Sequence, residues 1–402
     1  MRYHKLYKGY KSFQYLEEGV DYKQFALQEG TNWGEPYQIP LTPAEEARVK
    51  QLVEDNVYIS LHEHPTKQPK DMDDLLAYSR DGRERTAYES LANSYYDAIF
   101  DNLMDGTALI TSKNGWKWQD VIYDLGMRLS DLAHQEFVVK GECLADITQA
   151  HEEGKLALIP AMESCTPIEN ELDRIDILYG LGVRMLGIVY SESNSLGTGL
   201  KEDRDGGLTY FGHDAVGRMN KLGMAIDVSH ASDQTSLDVF EASTTPVFIS
   251  HAGARAVRAI KRLKPDEVLK ACAETGGVIG IEAAPHTTTS REHPKHSIHS
   301  VMDHFEYILD LVGIDYVSFG PDTLYGDHVG LHNVFSKHFS LNEAHKGEKE
   351  DRFPEVEYVR GMDNPTEASH NIIRWLVKNG YSDTEIQKVM GGNTLRALKE
   401  IW

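Results

Sequence analysis

The sequence has little cysteine, and the cysteines that it has are not arranged in pairs. The chain of 402 residues contains three of them, Cys143, Cys165 and Cys272, which lie far apart and form no Cys-x-x-Cys motif. A disulfide framework needs an even set of cysteines and an oxidising environment. The sequence therefore argues against such a framework and predicts a protein of a reducing compartment, the cytoplasm.

Long apolar runs are missing as well. No stretch approaches the roughly 20 consecutive apolar residues that a membrane span requires. The first ten residues contain lysines and tyrosines rather than the apolar segment of a signal peptide. We therefore expect neither a membrane span nor a signal peptide.

Positive charge is scarce, which excludes two classes of partner. The chain has 41 Lys and Arg residues against 63 Asp and Glu residues, and its formal net charge is -22. Such an acidic chain is not expected to bind nucleic acid or an anionic membrane. No Gly-x-Gly-x-x-Gly motif follows a predicted strand, which also disfavours a dinucleotide-binding protein.

What the chain does contain is a regular alternation of short apolar runs with helical patterns. Hydrophobic residues make up 41% of the composition, enough to fill a large core. A helix is predicted at 42–55, with Thr42 as its cap and proline at its first position. Eight predicted strands follow, at 57–61, 107–111, 156–162, 185–190, 224–229, 247–250, 278–282 and 317–320. Strands alternating with helices predict a parallel sheet, and eight of them favour a (β/α)8 TIM-type barrel over an open doubly wound sheet.

The domain organisation is expected to be simple. No internal repeat or linker interrupts the chain, so residues 1–402 are predicted to form one barrel domain. Residues 1–40 have little periodicity and are interpreted as an N-terminal arm. Residues 66–96 are expected to form a long loop after the first strand, and 323–360 an insertion after the last one.

The first strand ends in two histidines. His62 and His64 are separated by one residue, and side chains at i and i+2 of a strand point to the same face. Imidazole is the commonest metal-binding side chain. The pair therefore predicts one arm of a metal site at the mouth of the barrel.

Four later strands also end in polar residues that suit a metal. These are Glu163, His230, His251 and Asp322, each just after an apolar run, where barrel active sites are built. One such histidine alone would more often be structural than ligating. Four imidazoles together with a carboxylate suit Zn²⁺, and a carboxylate can bridge two ions.

At this point the sequence resembles the membrane dipeptidase (renal dipeptidase-like) family of zinc metallopeptidases, within the amidohydrolase-like barrels. The resemblance covers about residues 50–402. It is carried by Glu163 and by LYGLGVR at 178–184, GLTYFG at 207–212, NKLGMAIDVSH at 220–230, PVFISHA at 246–252, YVRGMDNP at 358–365 and GGNTLR at 391–396.

The resemblance implies a binuclear zinc site with Glu163 as the bridging carboxylate. The other implied metal ligands are His62, residue 64, His230 and His251. His64 stands where the family has aspartate, so the site has one negative charge fewer. Both one zinc ion and two zinc ions are therefore expected alternatives.

The resemblance also implies residues that act on the substrate. Asp322 corresponds to an aspartate near the attacking water, and Arg262 to the arginine that binds a substrate carboxylate, with Lys261 or Arg258 as alternatives. Tyr190 stands where the family has a histidine that steadies the tetrahedral intermediate. A phenol can also donate a hydrogen bond to an oxyanion.

These observations predict a zinc-dependent, dipeptidase-like hydrolase. It would cleave an amide bond of a small carboxylate-bearing substrate by metal-activated water, and the family resemblance suggests a homodimer. The alternative is a divergent amidohydrolase-type enzyme acting on a non-peptide substrate, such as a deaminase or decarboxylase. A metal-binding protein without activity is the third hypothesis, which the full set of candidate ligands disfavours.

Overall fold

The centre of the molecule is a parallel sheet. The computed structural model describes residues 5–31, 33–103, 117–336 and 354–402. Its strands are β1 (Ile59–Lys67), β2 (Ala98–Leu103), β3 (Val138–Lys140), β4 (Leu156–Met162), β5 (Met185–Gly187), β6 (Ala225–Asp227), β7 (Val247–Ala252), β8 (Val278–Ile281), β9 (Val317–Phe319) and β10 (Leu324–Tyr325).

The sheet closes into a barrel. The strand order is β10-β1-β2-β4-β5-β6-β7-β8-β9, and β3 adds to β4 outside this path. β9 and β10 are two parts of one segment, of which β9 pairs with β8 and β10 pairs with β1. Between them, the Asp322 N–H donates to the His62 carbonyl oxygen at 3.0 Å. The β9–β10 segment thus acts as the eighth strand, and the fold is a (β/α)8 barrel.

Helices connect the strands and cover the outside. They are α1 (Pro43–Asp55), α2 (Leu75–Ala77), α3 (Tyr88–Leu91), α4 (Trp118–Leu132), α5 (Leu144–Glu153), α6 (Asp173–Gly180), α7 (Tyr210–Leu222), α8 (Asp233–Ala242), α9 (Asp266–Glu274), α10 (Ile298–Val312), α11 (His328–Ser336), α12 (Pro365–Lys378), α13 (Asp383–Gln387) and α14 (Asn393–Ile401). None of the helices in these described ranges is long and apolar enough to cross a lipid bilayer.

The core has two parts because side chains alternate across each strand. On β2, Ala98 and Phe100 belong to a cluster inside the barrel, and Ile99 belongs to the layer between barrel and helices. Leu398 and Ile401 of α14 pack into the interior cluster and fill the end of the barrel opposite the strand ends that carry the polar residues. The interior is therefore apolar at one end and open to polar side chains at the other.

The strand predictions are confirmed for most of the barrel. The predicted third to eighth strands coincide with β4–β9 to within a few residues. The predicted first strand, 57–61, overlaps β1, but β1 continues to Lys67 and so contains His62 and His64. The predicted strand at 107–111 lies outside the described residues. The second barrel strand is instead Ala98–Leu103, which sequence patterning had not assigned.

The sequence predicts an N-terminal arm at 1–40 and an insertion after the last strand at 323–360. In the first of them, Phe13 is buried, and its backbone N–H donates to Asp131 of α4. In the range 323–360, Leu324–Tyr325 pair with β1 and are therefore part of the barrel. α11 follows them, and residues 337–353 lie outside the described part of the chain.

Candidate metal centre

The first histidine pair is oriented by an irregularity in β1. Ser60 pairs with Ile99 of β2, but Glu63 pairs with Asp101, so β1 contains one extra residue between these pairs. An insertion of this kind, a β-bulge, redirects the side chains that follow it. His62 and His64 consequently face the barrel interior, and their Nε2 atoms lie 3.3 Å apart.

A second register shift spans the position of His251. Ile249 of β7 pairs with Ile279 of β8, but Ala252 pairs with Ile281, which again places one extra residue in β7. The His251 ring lies against the His62 ring, with a centroid distance of 3.6 Å. Its Nε2 is 2.9 Å from Nε2 of His230, which follows β6. Four imidazoles from three strands therefore converge on one place.

Glu163, just after β4, lies between the two pairs of imidazoles. Its Oε1 is 3.6 Å from Nε2 of His64 and 3.9 Å from Nε2 of His62. Its Oε2 is 3.3 Å from Nε2 of His230. The two oxygens thus face different histidines, as is expected of a carboxylate that bridges two cations.

Asp322 reaches the same place from the β9–β10 segment. Its Oδ1 is 3.1 Å from Nε2 of His64 and 3.6 Å from Nε2 of His62. Its backbone is left-handed, with φ of 58°, which is uncommon for a residue other than glycine. The next residue holds it there, because the N–H and hydroxyl of Thr323 both donate to Oε2 of buried Glu63, at 3.0 and 2.6 Å.

Three of the four histidines have their second ring nitrogen fixed. Nδ1 of His64 donates to the Asn102 carbonyl oxygen at 2.9 Å. Nδ1 of His230 lies 3.1 Å from the Ser191 hydroxyl, and Nδ1 of His251 lies 2.8 Å from the Ser250 hydroxyl. His62 Nδ1 is buried and has no hydrogen-bond partner among the described residues. Contacts at Nδ1 orient the rings so that Nε2 points into the cluster.

Burial dominates the electrostatics of the histidines. It holds the pKa of His62, His230 and His251 well below the ordinary value, so these imidazoles are neutral at pH 7. Burial also acts to lower the pKa of His64, but the hydrogen bond with Asp322 and the nearby Glu163 outweigh it and raise that pKa to about 9. For Asp322, burial acts to raise the pKa, and the hydrogen bond from His64 together with the other imidazoles holds it well below its usual range.

The donor set fits a transition-metal ion. Ligand atoms lie within 4.8 Å of one another in three groups: His62 with His64 and Asp322, His62 with Glu163 and His251, and His251 with Glu282 and Asp322. Neutral imidazoles and carboxylates are the ligands of zinc in hydrolytic sites. All six residues predicted from the strand ends lie in this cluster or contact it.

Arg262 lies beside the cluster, but it contacts another residue of the protein. Its Nη2 donates to the His251 carbonyl oxygen at 3.1 Å and forms an ion pair with Glu282. Of the two alternatives, Arg258 donates to backbone oxygens and to the Thr289 hydroxyl. Lys261 donates to the Glu202 carbonyl oxygen on the surface. Arg262 is therefore the basic residue of the three that contacts the candidate metal centre.

Tyr190 is half-buried next to the same cluster. Its ring stacks on the His230 ring, with a centroid distance of 4.1 Å and an interplanar angle of 21°. The predicted role of its hydroxyl at an oxyanion stays a prediction.

Glu282 is the residue of this site that the sequence patterning missed. It follows β8 directly, is fully buried and lies within reach of His251 and Asp322. Burial raises its pKa to about 7, and Arg262 opposes that rise. The sequence pattern that could have identified Glu282 is the one that identified Glu163 and Asp322, a carboxylate directly after an apolar strand.

The family can now be assigned. Residues 120–337 match the family model of membrane dipeptidase, peptidase family M19. This chain belongs to the membrane dipeptidase family. The matched range contains Glu163, His230, His251 and Asp322, and the first strand with His62 and His64 precedes it.

Curated relatives of this membrane dipeptidase family member include two fungal dipeptidases. Dipeptidase aclJ of Aspergillus oryzae is 27% identical over 282 residues, which are 67% of this chain and 60% of that protein. Dipeptidase tcpJ of Claviceps purpurea is 25% identical over 258 residues, 64% of this chain and 53% of that protein. The match thus spans little more than half the length of these relatives.

Solved structures support the fold. An amidohydrolase from Pseudomonas aeruginosa superposes with a TM-score of 0.70 at 23% identity, covering 88% of this chain and 99% of that one. A metallopeptidase from Rhodobacter sphaeroides, liganded with a phosphinate mimic of the dipeptide L-Ala-D-Ala, has a TM-score of 0.65 at 19% identity and covers 87% of this chain and 100% of that one.

Proposed function

We propose that this member of the membrane dipeptidase family is a zinc-dependent hydrolase that cleaves the amide bond of a small, dipeptide-like substrate. The observation that carries the proposal is the position of Glu163. Its two oxygens face different imidazoles at the mouth of the barrel, 3.6 Å from Nε2 of His64 and 3.3 Å from Nε2 of His230.

The proposed zinc ligands are His62, His64, Glu163, His230 and His251. Bound zinc would polarise the substrate carbonyl and make water nucleophilic near neutral pH. Because three of these imidazoles are kept neutral by burial, their Nε2 lone pairs are available to a cation. A ligating His64 is neutral and offers less negative charge than an aspartate, which favours one tightly bound zinc ion. The two oxygens of Glu163 face different histidines, which favours two ions.

Asp322 is proposed to orient the attacking water and to accept its proton. A general base must be ionised and within hydrogen-bond reach of that proton. The low pKa of Asp322 keeps it ionised, and its Oδ1 lies within 3.6 Å of two histidine Nε2 atoms. The hydrogen bonds from Thr323 to Glu63 hold the Asp322 carboxylate in this position.

Two further residues are proposed to bind the substrate. Tyr190, stacked on His230, would donate its phenol proton to the oxyanion that develops at the carbonyl. Arg262 has one buried nitrogen, Nη1, with no hydrogen-bond partner among the described residues. That nitrogen is suited to donate to an oxygen of the substrate, which the family resemblance identifies as a carboxylate.

The test is hydrolysis of a panel of dipeptides by zinc-loaded protein, followed by detection of the released amines. We expect turnover that disappears on chelation and returns with zinc. Asp322→Asn should lower kcat by about 100-fold or more, the range typical of general acid–base catalysis. His134 is an exposed histidine two residues after the end of α4, and His134→Asn, the matched control, should leave turnover unchanged.

A second candidate is amidohydrolase-type chemistry on a non-peptide substrate. The observation in its favour is His64, whose ring enters the ligand cluster where the family has aspartate. Zinc bound to the protein without cleavage of any dipeptide would support this candidate over the first. A protein that binds no zinc would contradict both.

We also propose that the protein is located in the cytoplasm and forms a homodimer. All three cysteines are free, and two of them, Cys165 and Cys272, are buried, which supports a reducing compartment. The homodimer rests on the family resemblance. Cell fractionation and multi-angle light scattering of the purified protein test these two points.

A further inference from the structure

Arg262 and Glu282 form a buried ion pair directly beside the candidate metal centre. Their side chains are 6% and 0% exposed, and Nη2 of Arg262 contacts Oε2 of Glu282. The same nitrogen donates to the carbonyl oxygen of His251. A buried charge is stable only with a partner, so each of these two residues neutralises the other.

The pair still has unused hydrogen-bonding capacity. Nη1 of Arg262 is buried and has no hydrogen-bond partner among the described residues. Glu282 has Arg262 and Thr287 beside it, and its two buried oxygens keep lone pairs that can accept a further hydrogen bond. Buried polar groups in native proteins are nearly always hydrogen-bonded, and an exception needs an explanation. Glu282 also lies within ligand distance of His251 and Asp322, so a molecule held at the metal centre is within its reach.

A donor and an acceptor on the same buried ion pair match a particular chemical group. A carboxamide accepts a hydrogen bond at its oxygen and donates one from its nitrogen, and it carries no charge. A carboxylate could accept from Nη1 of Arg262, but it offers no donor to Glu282. Against the ionised form of Glu282 it would also bring a second negative charge into a buried site, where repulsion is strong.

We propose that Glu282 is a specificity-determining residue that makes this site select an uncharged amide, rather than a carboxylate, at the substrate end next to Arg262. The inference rests on the proposed function, because it concerns the substrate of that same site. It revises the expectation that Arg262 binds a substrate carboxylate. The preferred substrates are then dipeptide amides or internal amides rather than free dipeptides.

The experiment measures binding to zinc-loaded protein by calorimetry. The probes are a phosphinate mimic of an Ala-Ala dipeptide with a free carboxylate and the same mimic ending in a carboxamide. For the unmodified protein, we expect the carboxamide probe to bind at least tenfold more tightly. Glu282→Gln removes the competing negative charge, and we expect it to shift the ratio of the two dissociation constants at least tenfold toward the carboxylate probe.

Two variants serve as controls. The double variant Arg262→Met with Glu282→Met replaces the pair by apolar side chains, which buried pairs often tolerate. It should lose discrimination between the probes, and it keeps the test valid if Glu282→Gln alone fails to fold. Glu142→Gln breaks the ion pair of Glu142 with Arg184 elsewhere on the barrel and should leave the ratio unchanged.

The contrary outcomes are distinct. Tighter binding of the carboxylate probe by the unmodified protein overturns the role of Glu282 and leaves the proposed function intact. Loss of zinc from Glu282→Gln, measured by elemental analysis, makes Glu282 a metal ligand and also overturns the inference. Failure of both probes to bind the unmodified protein contradicts the proposed function, and this inference with it.

Discussion

At the scale of single residues, the charge of the candidate metal centre depends on residue 64. Glu163 and Asp322 contribute carboxylates to it, and the four histidines contribute imidazole nitrogens that could bind a metal. Because His64 contacts Glu163, Asp322 and His62 at once, a change there alters every part of the cluster.

We predict that His64→Asp binds zinc more tightly than the unmodified protein. The added carboxylate is a charged ligand, whereas a metal-binding imidazole is neutral. An increase in affinity of about tenfold, or about 1.4 kcal/mol, is expected. Competition with a chromophoric chelator measures it, and equal or weaker binding in His64→Asp would contradict the charge argument.

Glu63 affects the candidate metal centre indirectly, through its hydrogen bonds with Thr323, the residue next to Asp322. Burial raises its pKa to about 8, and it accepts hydrogen bonds from Thr323 and from the Ser60 hydroxyl. Glu63→Ala leaves these donors buried without a partner, so we predict a loss of about 2 kcal/mol or more in the free energy of unfolding.

The matched variant is Glu63→Gln. Its side-chain oxygen can still accept from Thr323, so it should retain most of the stability and more of the activity than Glu63→Ala. Urea denaturation of the two variants gives the comparison. Equal losses in both would show that the hydrogen bonds from Thr323 to Glu63 do not contribute to the stability of the fold.

At the scale of elements, the site depends on strands that are not regular. The extra residues in β1 and β7 lie in the intervals that contain His62 and His251, between Ser60 and Glu63 and between Ile249 and Ala252. Strict alternation places His62 and Leu61 on opposite faces, but the structure has Leu61 in the interior cluster and His62 in the interior metal centre. The hydrophobic pattern therefore predicts seven of the eight barrel strands. The inserted residue depends on pairing with the neighbouring strand, which one sequence does not specify.

The approach of β8 to β7 gives a test at this scale. A Cβ atom on Gly280 would lie 2.0 Å from the Ser250 carbonyl oxygen, next to His251. We predict that Gly280→Ala separates these strands and destabilises the protein by about 2 kcal/mol, the usual range for overpacking. The midpoint of urea denaturation and zinc affinity should both fall.

Gly217, inside α7, is the matched control for this substitution. A Cβ atom there meets nothing within 4 Å. Gly217→Ala should stabilise the helix by about 0.5–1 kcal/mol. A similar loss of stability in both variants would mean that the close approach at Gly280 is unimportant.

At the scale of the whole molecule, the candidate metal centre joins distant parts of the chain. The cluster takes ligands from residues 62 to 322, so a bound ion would link the first barrel strand to the last. Sequence patterning predicted this convergence, because all parallel strands present their carboxyl ends at one mouth. It could not predict the pairing of Arg262 with Glu282 or the strand Ala98–Leu103, since these depend on packing between segments far apart in sequence.

A bound ion should therefore stabilise the entire barrel. A ligand that binds only the native state adds about 4 kcal/mol at a free concentration 1,000 times its Kd. We predict that zinc raises the unfolding temperature by on the order of 5 °C, and that His251→Ala abolishes the rise. Scanning calorimetry with and without zinc measures this, and an equal rise in His251→Ala would place the zinc elsewhere.

The central claim is that His62, His64, Glu163, His230 and His251 hold zinc at the mouth of the barrel. Anomalous diffraction at the zinc edge, from crystals of the zinc-loaded protein, tests it most directly. The predicted result is one or two anomalous peaks between the Glu163 carboxylate and the four imidazoles. A zinc-loaded crystal with no peak at Glu163, or with peaks only at other residues, would contradict the claim.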